Sequence, residues 1–211
     1  MATLLAKENI RDVLYRYCRA ADRGDLALLK SCYHPDSLDD HGFFKGSGWD
    51  FADYVLTVLS EIELSIHSIS NPLIELHGKN AYVETQVSVV HRIKRAGQLT
   101  DLWHQGRYVD EFEEREGTWK ILCRVFVLDA ERFINSADFH SLVPANSPHR
   151  AYIGQRGKSD LVYRLKEIRS FIRPAYAMKR FWTAYRLLLW LPKPVIRWIG
   201  ACLKMLGLLR G

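Results

Sequence analysis

The sequence predicts an α+β domain, with three N-terminal helices packed on a curved antiparallel sheet and a C-terminal amphipathic helical extension beyond it. Three observations carry this expectation. Apolar residues recur at helical spacing as far as Ile62, four long segments with strand-like alternation follow, and the charge balance reverses beyond His149. Residues 150–211 hold 14 of the 30 basic side chains but only Asp160 and Glu167 among the 24 acidic ones, a net of +12 against −6 for the first 149 residues. The expected organisation is a folded domain over 1–135, an irregular linker over 136–160 and a basic amphipathic helical tail over 161–211.

Thr3 can cap a first helix running to about Ala21, whose residues Ile10, Val13, Leu14, Tyr17 and Ala21 follow the i, i+3, i+4, i+7 rule for one buried face. Gly24 is a helix stop, and Asp25 an N-cap for a short second helix carrying Leu26, Leu29 and Cys32. Pro35 ends that helix. A third fits Ser47 to about Ile62, with Phe51, Val55, Val58, Leu59 and Ile62 in phase. Strands are then expected over Leu64 to Leu76, Ala81 to Lys94, Leu99 to Glu114 and Thr118 to Glu131, separated by His-Gly-Lys-Asn, Arg-Ala-Gly-Gln and Arg-Glu-Gly-Thr. Alternation puts Ala81, Val83, Val87, Val89 and Ile93 on one face; Ser65, His67 and Ile69 share a face of their strand, as do His104, Gly106 and Tyr108 of theirs. Helices covering a curved sheet leave a cone-shaped pocket.

Composition excludes several classes. A chain of 211 residues with 48% hydrophobic content can bury a core, which argues against disorder. Cys18, Cys32, Cys123 and Cys202 are far apart and form no C-x-x-C pair, and the histidines lack paired ligand spacing, so neither a disulfide framework nor a metal site is expected. The N-terminal residues lack the basic-then-apolar pattern of a signal peptide, which points to the reducing cytoplasm. In the tail, Trp182, Trp190 and Trp198 accompany Tyr185, Arg186, Lys193, Arg197 and Lys204, and no 18-residue stretch is free of charge. This pattern suits an interfacial helix lying on an anionic membrane surface, on its inner face, better than a spanning helix. The competing reading packs the same helix on the domain or on a second subunit. Nucleic acid is not an expected partner, since no recognised binding motif accompanies the basic residues.

The phenol of Tyr17 and the carboxylate of Asp22 come together where the first helix turns, and His67 lies on the first strand that follows the helices. Each residue alone is equally at home as a core tyrosine, a turn aspartate or a core histidine. Together with other segments they form a pattern. Tyr17-Cys-Arg-Ala-Ala-Asp22, His34-Pro-Asp, Asp39-Asp-His-Gly-Phe-Phe-Lys-Gly46, His67 with Asn71, Gly106-Arg-Tyr-Val-Asp-Glu-Phe-Glu, and Trp119-Lys-Ile-Leu-Cys-Arg124 with Asp129 resemble the SnoaL-like branch of the nuclear-transport-factor-2-like superfamily. The resemblance covers the first 135 residues or so and implies the cone-shaped fold.

Within that branch the Tyr-x4-Asp spacing with a strand histidine is similar to the bile-acid 7α-dehydratases, and the Asp22/His67 pair resembles that of hexachlorocyclohexane dehydrochlorinase. Scytalone dehydratase is a more remote relative. The resemblance implies a cofactor-independent hydro-lyase acting on a hydroxylated, steroid-like enone, assembled as a homodimer or homotrimer. In it Tyr17 engages the carbonyl, Asp22 and His67 handle the proton, and Asp40, His41, Asn71 and Arg124 contact the substrate. His41 falls where those enzymes have a second pocket tyrosine. Their late arginine aligns with Leu128, with Arg124 earlier on the same face; Arg107 and Arg124 also have Asp129 and Asp110 as natural ion partners.

The residues are consistent with this chemistry. A carboxylate bonded to one imidazole nitrogen fixes the tautomer and makes the other nitrogen a base, while a phenol can stabilise an enolate oxygen without a metal. The proton for a leaving hydroxyl could come from His67, His41 or Asp40. An isomerase or cyclase would use the same pair on a polyketide or terpenoid, and a non-catalytic ligand-binding module could share the fold. The membrane expectation is tested by deleting residues 176–211 and fractionating cells at low salt. The full chain should sediment with membranes and the shortened one should not; a full chain that stays soluble contradicts it.

Overall fold

In a computed structural model, residues 1–135 and 154–167 are described. The helices are α1 (Ala2–Arg23), α2 (Leu26–Ser31) and α3 (Gly48–Ser60), and the strands are β1 (Tyr33–Asp40), β2 (Lys45–Ser47), β3 (Leu64–His77), β4 (Asn80–Arg95), β5 (Gln98–Arg115) and β6 (Thr118–Asn135). α1 buries Ile10, Val13, Leu14, Tyr17 and Ala21, the stripe its periodicity predicts, and adds Cys18 and Ala20. It stops at Gly24, where φ of 66° gives the left-handed turn a side chain would disfavour. Asp25 then caps α2 by accepting the Leu28 N–H, and Ser47 caps α3 by accepting that of Asp50.

The strands run β2-β1-β6-β5-β4-β3 across one sheet. The four long hairpin-linked strands are antiparallel as expected, but the sheet as a whole is mixed, because β1 pairs with β6 in parallel. This corrects the all-antiparallel expectation. The stretch His34-Pro-Asp-Ser-Leu-Asp-Asp alternates only weakly and carries a proline, so the sequence assigns it no element; its strand partner is 80 or so residues away in the sequence and leaves no local signal. Pro35 is exposed on β1, where one register shift toward β6 already interrupts the ladder.

α1 packs on β3 and β6, and α3 on β1 and β2, so the helices cover one face of the sheet. Between them lies a core that includes Ile10, Leu14, Leu29, Phe51, Val83, Val87, Phe112 and Ile121, each contributing about 1.5–3 kcal/mol if its side chain is fully removed from water. Register shifts at Ser70/Leu73 in β3, and in β6 at Asp129 and Leu122, which are the extra residues opposite Gln105/Gly106 and Glu111/Phe112 of β5, bend the sheet over the helices. At Gly106 a Cβ would stand 2.3 Å from the Val127 carbonyl oxygen and 2.8 Å from the Phe126 ring, so only glycine lets β6 approach with Phe126 turned inward.

Two compact units divide the chain, Met1–Asp160 and Leu161–Gly211. In the first, residues 154–160 return to the helices: Arg156 donates to the Leu59 carbonyl at the end of α3, Lys158 pairs with Asp25, and Asp160 lies 3.6 Å from Arg23. In the second, Leu161–Glu167 is a 3-10 stretch kinked at Arg164. The rest of the expected tail, with its three tryptophans, lies outside the described residues. Among the described residues no helix is long and apolar enough to cross a membrane.

Candidate active site

Asp22 leaves the last turn of α1 toward the start of β3, where three donors meet it. Its Oδ1 accepts from the Ser65 hydroxyl at 3.0 Å and meets His67 Nδ1 at 2.6 Å, and its Oδ2 accepts the His67 backbone N–H at 3.0 Å. The carboxylate is thereby fixed in plane and direction, and His67 Nε2 is the nitrogen left for the cavity that His67 lines. A carboxylate at a helix C-terminus faces the negative end of the helix dipole, so these donors offset a local repulsion.

The cavity encloses about 540 Å³ out to its open mouth. Tyr17, Phe51, Leu59, Tyr108 and Phe126 supply much of its apolar wall, with His41, His67, His91 and His104 as its polar groups. Tyr17 is 3% exposed and meets Tyr108 edge to face, ring centres 5.5 Å apart. Burial raises the pKa of its hydroxyl against the opposing pull of Arg124, so the phenol is a protonated donor at neutral pH.

Beneath these rings lies Arg124, wholly buried. It makes two hydrogen bonds to Asp110, Nε to Oδ1 at 2.7 Å and Nη2 to Oδ2 at 2.6 Å, and its guanidinium carbon is 4.2 Å from the Tyr17 ring centre and 4.0 Å from that of Tyr108. Burial works against its charge, but the Asp110 carboxylate outweighs it and raises the Arg124 pKa. Arg107 likewise pairs with Asp129 through two bonds of 3.1 Å.

The structure therefore brings Tyr17, Asp22, His67 and His41 together and moves three expected substrate contacts elsewhere. Arg124 lies under the cavity wall, held by Asp110. Asn71 is exposed at the register shift in β3 with φ of 53°; the extra residue there breaks the alternation that places Ser65, His67 and Ile69 inward. Asp40 lies beyond the cavity lining, paired with Lys45 at 2.8 Å.

His91 is the residue sequence reasoning missed, although it keeps phase with Ala81, Val83, Val87 and Val89 on the inward face of β4. Burial, with His67 and His104 beside it, pushes its pKa down to about 3, so it is a neutral imidazole. Its ring centre is 5.9 Å from that of His67 and 5.8 Å from that of His104, which in turn lies 3.3 Å from Glu131. Burial lowers the His104 pKa, with Glu131 opposing. Among the described residues no group of three or more His, Cys, Asp or Glu could hold a metal ion.

Removing one member of the Arg124–Asp110 pair strands the other in the core. Arg124→Met should cost about 3–5 kcal/mol in denaturant unfolding, and the double variant Arg124→Met/Asp110→Leu should recover most of that loss. A single variant as stable as the parent would show that the pair is not buried in solution.

A comparison with curated protein sequences returns no match. Among solved structures, the chain is similar to a type 2 hexachlorocyclohexane dehydrochlorinase, LinA, at 18% identity over 68% of this chain and 97% of that one, with a TM-score of 0.60. It is also similar to the LinA-type3 dehydrochlorinase of Novosphingobium barchaimii, at 18% identity over 67% and 97% with a TM-score of 0.59. A putative scytalone dehydratase from Novosphingobium aromaticivorans aligns at 21% identity over 71% and 97%, with a TM-score of 0.56. At these identities the likeness establishes the fold. The SnoaL-like domain matches residues 2–125, more than half of the chain, and with the helices, sheet and cavity described above it places this protein in the SnoaL-like family of the nuclear-transport-factor-2-like superfamily.

Proposed function

We propose that this protein is a dehydratase that removes water from a hydroxylated enone, with a hydroxysteroid of bile-acid type as the favoured substrate. The observation that carries the reading is the Asp22–His67 contact at 2.6 Å with Tyr17 in the same apolar cavity. His67 Nε2 takes the proton from the carbon activated by the carbonyl. Asp22 holds the imidazole in the tautomer that leaves Nε2 free and balances the charge it gains. Tyr17 donates its hydroxyl hydrogen to the carbonyl oxygen as negative charge develops there, and the Arg124 guanidinium over its ring face supports that charge from behind.

The walls select the substrate class. Aromatic and aliphatic side chains dominate the cavity, which suits a planar polycyclic skeleton with few polar groups. Because Arg124 is committed to Asp110, it does not serve an acidic substrate side chain. Delivery of a sparingly soluble substrate from lipid, through the basic tail beyond Glu167, belongs to the same proposal.

Purified protein incubated with a panel of hydroxysteroid enones should yield a product absorbing at longer wavelength, lighter by one water. His67→Ala and Asp22→Asn should each lower kcat by about 10²-fold or more, with ligand binding retained in Asp22→Asn. A shift in absorbance without loss of mass would favour an isomerase, and tight binding with no turnover across the panel would favour a binding module.

A further inference from the structure

Hydroxide is a poor leaving group, so protonation of the departing oxygen speeds the loss of water and a dehydratase gains from an acid as well as a base. The surroundings of the groups that could supply the proton separate them. The Lys45 ammonium and the Gly42 N–H hold the Asp40 carboxyl below its ordinary range, and Asp40 does not line the cavity. His91 and His104 are both driven toward the neutral imidazole, chiefly by burial.

His41 is the candidate the geometry favours. It lines the cavity, and its Nδ1 meets Asp39 Oδ1 at 2.5 Å. The other Asp39 oxygen accepts the Tyr33 hydroxyl at 2.6 Å. Burial raises the Tyr33 pKa, with Tyr17 and Asp39 acting in the same direction, so this phenol remains a donor and locks the carboxylate. The imidazole is stacked between two phenyl rings, Phe51 with ring centres 4.2 Å apart at 12° and Phe126 at 5.6 Å and 16°. The two ring faces fix its plane. Nε2 is the nitrogen left to the cavity.

The strand register explains why Asp39 is available. Asp39, Arg124 and Asp110 form one row across β1, β6 and β5, with the arginine in the middle. Arg124 gives two hydrogen bonds to Asp110, which leaves Asp39 to His41 and Tyr33. Among the described residues, Tyr17 on α1, Asp40 on β1, Lys45 on β2, Tyr108 and Asp110 on β5 and Arg124 on β6 are the other ionisable groups around His41, with His67 on β3, His91 on β4 and His104 on β5 lining the same cavity; α3 contributes the uncharged Phe51.

Resting on the dehydratase reading, we propose that His41, positioned by Asp39 and Tyr33, is the general acid that protonates the departing hydroxyl. The cavity then holds two imidazole–carboxylate pairs with opposite tasks, one from β3 and one from the β1–β2 turn, at the two edges of a sheet curled enough to bring them together. The proton on the activated carbon passes to His67 Nε2, and the C–H electron pair forms the dienolate held by Tyr17. Collapse of the dienolate restores the carbonyl and breaks the C–O bond, whose electron pair leaves with the His41 proton as water. His67 then carries one proton more and His41 one fewer, and exchange with solvent restores both.

Two matched substrates test this: a hydroxy-enone and its analogue with chloride in place of the hydroxyl, which leaves without a proton. His41→Gln should lose about 10²-fold or more in water elimination while keeping chloride elimination and solvent-deuterium exchange at the enolisable carbon near the parent level. His67→Ala should lose all three. Tyr33→Phe, which keeps its ring in the core, should show the His41→Gln pattern in weaker form and serves as the second variant should glutamine at position 41 prevent folding. Variants at both positions that lose chloride elimination and exchange along with water loss, or that keep water loss, overturn the inference alone. A parent protein that eliminates nothing and exchanges nothing overturns the dehydratase reading and this inference with it.

Discussion

The buried ion pair between Arg124 and Asp110 is the constraint on which the rest of the site depends. It joins the two central strands, β5 and β6, through two charge-assisted hydrogen bonds at neighbouring register positions. Its guanidinium is the floor under Tyr17 and Tyr108. A charged group this deep is tolerated because one carboxylate and two ring faces meet it, and removing the carboxylate would leave an uncompensated charge in the core. Tyr17 is therefore held from below by a cation and from the side by Tyr108, and it can present its hydroxyl only within a narrow range of directions.

Around this floor the sheet and helices place two imidazoles by the same device. In each case an aspartate, on α1 for His67 and at the end of β1 for His41, meets Nδ1 and is itself fixed by additional donors: Ser65 and a backbone N–H for Asp22, the Tyr33 phenol for Asp39. Preorganisation of this kind means that little side-chain entropy remains to be lost when substrate binds. The bends that make it possible are local. Register shifts in β3 and β6 curl the sheet, and the absence of a side chain at Gly106 lets Phe126 turn inward to reach His41.

Much of this was legible in the sequence where neighbours in the chain are also neighbours in space. The α1 stripe, the Gly24 stop, the Asp25 cap and the four hairpin-linked strands all follow from periodicity and turn chemistry, and Tyr17, Asp22 and His67 stand out through spacing and family pattern; the Thr3 cap does not form, because α1 already begins at Ala2. What escaped depends on distant pairing. β1 is a strand because β6, 80 or so residues later, offers it a parallel edge, and nothing in His34-Pro-Asp-Ser-Leu-Asp-Asp announces that partner. Register shifts escaped for a related reason: one extra residue near Asn71 reverses inside and outside, so simple alternation carried past it puts Asn71 on the wrong face. His91 was legible by alternation alone, and its neutral state follows from burial between His67 and His104, which only the folded arrangement shows.

The central claim is that Tyr17 and His67 address one substrate, oxygen to the phenol and carbon to the imidazole. A crystal structure with a planar phenolic steroid, whose ring oxygen mimics that of a dienolate, tests it most directly. The ligand oxygen should lie within hydrogen-bond distance of the Tyr17 hydroxyl, with the adjoining ring carbons facing His67 Nε2. A ligand whose oxygen instead engages His91 or His104, or one bound outside the cavity with Tyr17 untouched, would contradict it.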